Sequence, residues 1–197
     1  MHIILLAGMP ASGKSTIAAR VSREFGLPVL EKDALKEVLF DTIGFSCYAE
    51  KRRLDHVANA LLLQQTEVFI KSGNSVILDN NFDTIAAEKL CALVERYRCK
   101  CVTVFLDGET EAFYKRYVAR DAAHARHLGH ILQEHYPPLP GDSLDHTMTP
   151  EEFDEKFVKR GMRDVVLPGQ RIPVDATHPE QIDLDRLMAQ IRATIEE

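Results

Sequence analysis

HIILLAGMPASGKSTIAAR, residues 2–20, runs an apolar segment into a glycine-bracketed turn and then into an amphipathic stretch. Within it, GMPASGKS fits G-x-x-x-x-G-K-[ST] at Gly8, Gly13, Lys14 and Ser15. The glycines let the backbone curl so that its N–H groups point inward at phosphate oxygens, and a helix starting at Lys14 adds the partial positive charge of its N-terminus. Gly8, Met9, Pro10, Ala11, Ser12, Gly13, Lys14, Ser15 and Thr16 therefore form the candidate nucleotide-binding loop. Lys14 is expected to reach the β- and γ-phosphates, and the Ser15 hydroxyl to hold Mg²⁺. A chance match in a chain of this composition is on the order of a few in a thousand before strand–loop–helix context is required.

Working outward, short apolar runs alternate with segments of helical period, the pattern of a parallel sheet wrapped by helices. The strands are expected at His2–Ala7, Pro28–Leu30, Ser75–Asn80, Cys101–Asp107 and Arg171–Asp175. The helices are expected over Lys14–Phe25, Ala34–Phe40, Lys51–Ser72, Ile85–Arg98, Glu111–Ala123 and from about Pro179 onward. Between Ala123 and Arg171 the period is lost in HLGHILQEHYPPLPGDSLDHTMTP, an excursion from the sheet. Thr149-Pro150-Glu151-Glu152 carries a cap, a proline and early acids, so a helix over Glu151–Arg160 is expected to bring it back. With 197 residues, 45% of them apolar, and no break in composition, one domain is expected, with a lid or insertion at about 116–165.

Thirty acids against 24 bases disfavour a sequence-independent nucleic-acid binder, which needs a surplus of Lys and Arg. Cys47, Cys91, Cys99 and Cys101 lack zinc-type spacing, and Cys99 and Cys101 share one face of a strand as core residues. The start of the chain does not read as a signal peptide, and no apolar run is long enough to cross a bilayer. The expectation is a cytoplasmic protein with reduced thiols and no membrane partner.

A phosphate-binding loop serves switches, motors and kinases, and other residues must separate them. N-K-x-D, the guanine signature, is absent, and DTIG at Asp41–Gly44 follows a short helix where a switch needs a metal-binding strand. In VILDNNF, Asp79 can bind or orient Mg²⁺, but Asn80 stands where a motor places a water-activating Glu. A kinase needs a base near the acceptor hydroxyl. In LEKDALKEVLF, Asp33 is the candidate base and Lys36, one turn later, can neutralise charge on the acceptor. Asp33 also reads as a helix N-cap, and the two roles can coexist. Arg116 and Arg120 lie at i and i+4 on one helix face, followed by Arg126; together they can stabilise a phosphoryl group in transfer, or form a solvated helix face. Arg52 and Arg53 open the long helix as candidate acceptor contacts or as a solvated helix start.

GMPASGKST, the D-x-x-K of Asp33–Lys36, VILDNNF, the R-x-x-x-R of Arg116–Arg120 and PVDAT at Pro173–Thr177 together resemble the adenylate-kinase-like P-loop kinases. Within them the chain is similar to the group holding zeta toxins, chloramphenicol phosphotransferase and polynucleotide 5′-hydroxyl kinases. The resemblance implies an α/β three-layer sandwich with a five-stranded parallel sheet of order 2-3-1-4-5. It implies ATP with Mg²⁺, Asp33 as base, and Asp175 and Thr177 beside the adenine. ARHLGH resembles the R-H-P-G-H lid sequence of some members, with Leu128 in place of the proline. Lys36 stands where many members have Arg, so bidentate phosphate gripping is lost there. His124, His127, His130 and His135 give the lid a further candidate, a metal site, set against solvated or packed histidines. The expected activity is transfer of the γ-phosphate of ATP to a hydroxyl of a small-molecule or nucleoside-like acceptor. The alternatives are a nucleotide-binding accessory ATPase acting through a protein or RNA partner, and a polynucleotide 5′-hydroxyl kinase.

Overall fold

Ile3 to Leu6 are wholly buried, with side chains alternating between the two faces of a sheet, so the strand they form lies at its centre with both faces covered. The computed structural model describes residues 1–123, 125–144 and 148–196. In chain order the elements are β1 (His2–Gly8), α1 (Lys14–Phe25), β2 (Val29–Glu31), α2 (Lys32–Ile43), α3 (Tyr48–Lys71), β3 (Val76–Asp79), α4 (Thr84–Tyr97), β4 (Lys100–Asp107) and α5 (Thr110–Ala122). They continue with the short α6 (Leu128–Ile131) and α7 (Pro150–Phe153), then β5 (Gln170–Asp175) and α8 (Leu184–Glu196). All strand pairs are parallel, in the order β2-β3-β1-β4-β5.

Alternation along β1 divides the core. Ile4 and Leu6 pack with Ile17 and Val21 of α1, Phe113 of α5 and Ile191 of α8. On the opposite face Ile3 and Leu5 pack with Ile70 of α3 and with Ala87 and Leu90 of α4. The crossover β1–α1–β2 leaves β2 at the edge beyond β3, so the C-terminal ends of β1, β2 and β3 open on one side of the sheet, where ligands of such folds bind.

Five strands and six helices stand close to their expected places, with differences at the ends. α2 is longer at both ends than Ala34–Phe40, and α3 begins at Tyr48, three residues before the expected Lys51. Ser46 donates from both its N–H and its hydroxyl to Glu50 Oε2 at 2.7 Å, which closes that first turn. The expected helix Glu151–Arg160 is shorter and changes character. Thr149 and Glu152 form a reciprocal capping box for α7, and the chain then widens into a π-helical turn over Asp154–Val158. That turn carries Phe153 and Phe157 onto Tyr117, with ring centroids 5.6 and 5.7 Å away.

The segment after α5 is docked, not loose. Phe40 of α2, 1% exposed, is enclosed by Phe45, His127, His130 and Tyr136, and a Cβ on Gly129 would come within 2.3 Å of its ring. Truncating so buried a phenylalanine costs about 3–5 kcal/mol, so this contact outweighs the solvent-exposed His127–Asp41 pair at 3.0 Å in holding the segment to α2. Lys51 of α3 closes the far side, donating to the carbonyls of His130, at 3.0 Å, and Leu132. It lies against the Phe45 ring, and burial brings its ammonium down to about 7, helped by Lys36, Lys156 and Arg126 and opposed by Asp55. Unfolded, the same lysine titrates near 10.4, so between those values the unfolded chain holds more protons and stability rises with pH. From pH 7 to 10 the unfolding free energy is expected to gain about 1.4 kcal/mol per pH unit from this group alone. Urea titrations at stepped pH check it: Lys51→Met should lack that component of the slope.

Candidate active site

The loop between β1 and α1 is held in shape by backbone conformations that few residues adopt. Gly8 has φ +126°, Gly13 +91°, and Ala11 is left-handed at +57° despite its Cβ. No side chain caps α1, whose first internal bond runs from Ile17 N–H to the Gly13 carbonyl at 3.2 Å, so the amides ahead of it face the cavity mouth. Lys14 is buried and folds back on its own loop, donating to the carbonyls of Met9 at 2.8 Å and Gly8 at 3.2 Å. Burial brings its ammonium down to about 8, with Asp79 and Asp33 opposing and Arg120 and Arg126 assisting. Ser15 donates its hydroxyl to Asp79 Oδ2 at 2.7 Å. Burial pushes the Asp79 carboxyl up, against the pull of Lys14 and Ser15.

Met9 leaves the expected nucleotide contacts. Its side chain is wholly buried, its N–H goes to the Leu106 carbonyl at 3.1 Å and its carbonyl holds Lys14. Pro10 has no N–H, so the amides that can meet a phosphate are those of Ala11 to Thr16.

A cavity of about 290 Å³ opens over the loop, walled by Glu31 to Asp33, by Asp79 to Asn81 and by Arg116, Arg120 and Arg126. Asp33 lies within the first turn of α2; the N-cap is Glu31, and no side chain caps that helix, so the capping role is not met. The Asp33 carboxylate is half-exposed, with Oδ2 3.6 Å from Arg126 Nη2. Burial alone would raise it, but the surrounding cations, Arg126, Lys36 and Lys32, hold it below the usual carboxylate range. His130 does not add a charge at neutral pH, because burial pushes its imidazole far down.

The three arginines divide. Arg116 is tied by three N–H groups to the carbonyls of Ala11 (3.0 Å), Ala176 (2.7 Å) and Thr177 (2.9 Å), so it braces the phosphate loop against the turn after β5. That engagement takes it out of the expected transition-state set. Among the described residues Arg120 has no carboxylate closer than Asp121 at 3.9 Å, and its buried Nε has no partner. Arg126 leans over Tyr117 and faces Asp33. Arg120 and Arg126 are the two that remain for a phosphoryl group.

Arg52 and Arg53 are not at the cavity. The early start of α3 turns Lys51, Leu54, Ala58 and Asn59 inward, which leaves Arg52 half-buried and Arg53 exposed on the other side. Lys36 does not line the cavity either; its Nζ lies 3.0 Å from Asp55 Oδ1, which also takes Lys32 at 3.1 Å. Burial would raise Asp55, but the two lysines hold it down to about 2. Asp175 and Thr177 sit on the Arg116 side: Asp175 Oδ1 accepts the Thr177 N–H at 2.9 Å, and Thr177 Oγ1 accepts the Glu109 N–H at 3.0 Å. The described lid histidines go to three separate carboxylates, His127 to Asp41, His130 to Glu37 and His135 to Asp142; His124 lies outside the described residues. Among the described residues no three His, Cys, Asp or Glu side chains come together as for a metal ion. Nor, among them, is any helix long and apolar enough to cross a membrane.

Sequence reasoning missed Glu31, Lys32, Asp55 and Lys51. Lys32 and Asp55 meet from two different helices, a contact that leaves no periodic trace. Lys51 had only one signal, its place in line with Leu54 on the inward stripe of α3.

The same architecture occurs in known proteins. A crystal structure of a provisionally assigned kinase from Chloroflexus aurantiacus j-10-fl is 27% identical with a TM-score of 0.78, covering 98% of this chain and 97% of that one. The fold alone is shared with a sugar kinase from Janibacter sp. HTCC2649, 15% identical with a TM-score of 0.58 over 100% and 95% of the two chains. It is shared likewise with a shikimate kinase from Bacteroides thetaiotaomicron, 14% identical with a TM-score of 0.52 over 99% and 98%. A curated relative, the cytidylate kinase of Pyrobaculum islandicum, is 34% identical over 83 residues; the match takes in 39% of this chain and less than half, 43%, of that enzyme. Residues 3–138, from β1 through the phosphate loop and Asp79 to the docked segment after α5, match the AAA domain family, and the chain belongs to that family.

Proposed function

We propose that this protein, a phosphotransferase of the P-loop kinase type, transfers the γ-phosphate of ATP to a hydroxyl of a small molecule. One observation carries the reading: a half-exposed, ionised Asp33 faces Arg126 across a cavity floored by the phosphate loop, while Asn80 and Asn81, not a glutamate, follow Asp79. Asp33 is offered to an acceptor, and the position after Asp79, where a motor carries its water-activating glutamate, holds an amide.

The amides of Ala11 to Thr16 and Lys14 bind the donor phosphates, Lys14 exchanging its loop carbonyls for phosphate oxygens. The Ser15 hydroxyl and the Asp79 carboxylate, 2.7 Å apart, are the hard oxygen donors that Mg²⁺ takes, so this pair would hold the ion. When bound, Mg²⁺ neutralises charge on the β- and γ-phosphates. Asp33 orients the acceptor O–H. As the acceptor oxygen bonds to the γ-phosphorus and the bond to the β-phosphate oxygen breaks, ADP departs with that electron pair and Asp33 takes the proton. A weak base suits a loose transition state, in which the hydroxyl becomes acidic only late. Arg120 and Arg126 meet charge on the moving phosphoryl group, and Arg116 positions the loop through Ala11. Asp175 and Thr177 lie beside the adenine of the donor. The docked segment after α5 helps to keep water out.

Thermal denaturation with and without ATP–Mg²⁺, followed by ADP release across a panel of hydroxyl compounds, tests the reading. ATP–Mg²⁺ should raise the melting temperature of wild type and not of Lys14→Ala. At least one hydroxyl compound should stimulate ADP release. Turnover that no hydroxyl compound changes would sink the kinase reading.

A further inference from the structure

We infer that Asp121 is a positioning residue: from outside the cavity wall it holds Arg120 and Arg126 as one clamp for the donor's terminal phosphate and leaves their N–H groups free to grip it. The inference rests on the kinase reading above, which supplies the phosphate. Arg120 and Arg126 wall the cavity, whereas Tyr117 and Asp121 do not. Tyr117 and Asp121 lie one turn apart on α5, on the same helix face. Both guanidiniums lean on the Tyr117 ring, their central carbons 5.4 and 5.7 Å from its centroid. That ring is 5% exposed and is fixed in turn by Phe153 and Phe157. Both guanidiniums also face one oxygen of Asp121: Arg120 Nε and Arg126 Nη1 each lie 3.9 Å from its Oδ1. The Asp121 side chain is 10% exposed, and Oδ1 accepts no hydrogen bond among the described residues.

Two guanidiniums brought to one place repel each other. Burial, and then the charge of Arg126, bring the Arg120 guanidinium down from its ordinary value, and Asp121 is the first group that opposes them. An N–H···O bond closes at about 2.9 Å, so at 3.9 Å the carboxylate offsets the repulsion by charge alone. Arg116 shows the other way to hold a guanidinium: three of its N–H groups are committed to carbonyls, and it braces the loop. Arg120 Nε, by contrast, is buried without a partner among the described residues. Arg126 gives one long bond, from Nη1 to the Tyr117 hydroxyl at 3.4 Å, and faces Asp33 at 3.6 Å. A ring and a single charge therefore set where the two guanidiniums stand, and their donors stay available to phosphate oxygens, which they meet as forks.

Calorimetric titration of the purified protein with Mg²⁺ and either ADP or an ATP analogue carrying an imido bridge between its β- and γ-phosphates reads the affinity that the terminal phosphate adds, with no acceptor present. Wild type should bind the analogue more tightly than ADP. Asp121→Asn keeps the shape of the side chain and should cut that ratio roughly fivefold or more, with ADP affinity unchanged. The sign is diagnostic. Asn removes a negative charge from beside a site for a polyanion, so a residue acting through its field alone would raise the ratio when replaced. Asp121→Glu, which keeps the charge, should retain most of the ratio. With Arg120 and Arg126 both replaced by Gln, adding Asp121→Asn should change it by less than about twofold, because nothing is left to position. A ratio that Asp121→Asn leaves unchanged or raises, a loss that Asp121→Glu shows equally, or a loss that persists without the arginines overturns the inference. Parallel losses for ADP and the analogue overturn it too and make Asp121 a structural residue. A wild type that binds ADP and the analogue alike overturns it as well, and in all these cases the kinase reading stands or falls on ADP release. A wild type that binds neither nucleotide overturns both.

Discussion

Asp33→Asn is expected to lower phosphoryl transfer by about 10²- to 10⁴-fold, the range for removing a positioned general base. The substitution keeps the shape of the side chain and removes the charge that faces Arg126 at 3.6 Å. Donor binding should persist, because Lys14 and the amides of Ala11 to Thr16 are untouched. Single-turnover transfer and ATP affinity, measured on the same preparation, separate the two effects. A variant that transfers as fast as wild type would move the base role elsewhere, and parallel losses in transfer and in ATP affinity would make Asp33 a binding residue.

Gly8→Ala should be the most destabilising change in the phosphate loop, costing about 3–5 kcal/mol and lowering the melting temperature by roughly 10 °C. A Cβ at Gly8 would lie 2.0 Å from the Leu106 carbonyl oxygen and 2.8 Å from its carbonyl carbon. These are backbone atoms of the neighbouring β4, in register with Gly8, so neither strand can yield without breaking the ladder. Gly13→Ala is the control: its φ of +91° also disfavours a side chain, yet nothing lies within 4 Å of the added carbon. It should cost about 1–3 kcal/mol, the strain alone. Equal losses in calorimetry would show that the close approach to Leu106 is not what requires a glycine at position 8.

Much of the architecture was legible because it is written in local periods. The apolar runs His2–Ala7 and Cys101–Asp107 are two-sided and short, as buried parallel strands must be. Thr149-Pro150-Glu151-Glu152 announced its capping box, although the π-helical turn beyond it follows from where Phe153 and Phe157 meet Tyr117. The site was legible to the extent that it is one continuous segment. GMPASGKS states its own chemistry, and Asp79 and Asp33 could be placed because Asp79 ends β3 and Asp33 follows the end of β2 by two residues, in the first turn of α2.

By itself the sequence determined the order of elements, the phosphate loop and the acids that point toward it, since these depend on neighbours a few residues apart. Only the tertiary structure decided how the long side chains are used. Arg116 reaches the carbonyls of Ala176 and Thr177, some sixty residues away, and becomes a brace. Lys32 and Lys36 are bound to Asp55, Arg52 and Arg53 face away, and Lys51 closes over the chain after His127. An arginine or lysine side chain can turn toward any of several partners, and the choice is made by which oxygen atoms the packed helices leave within reach.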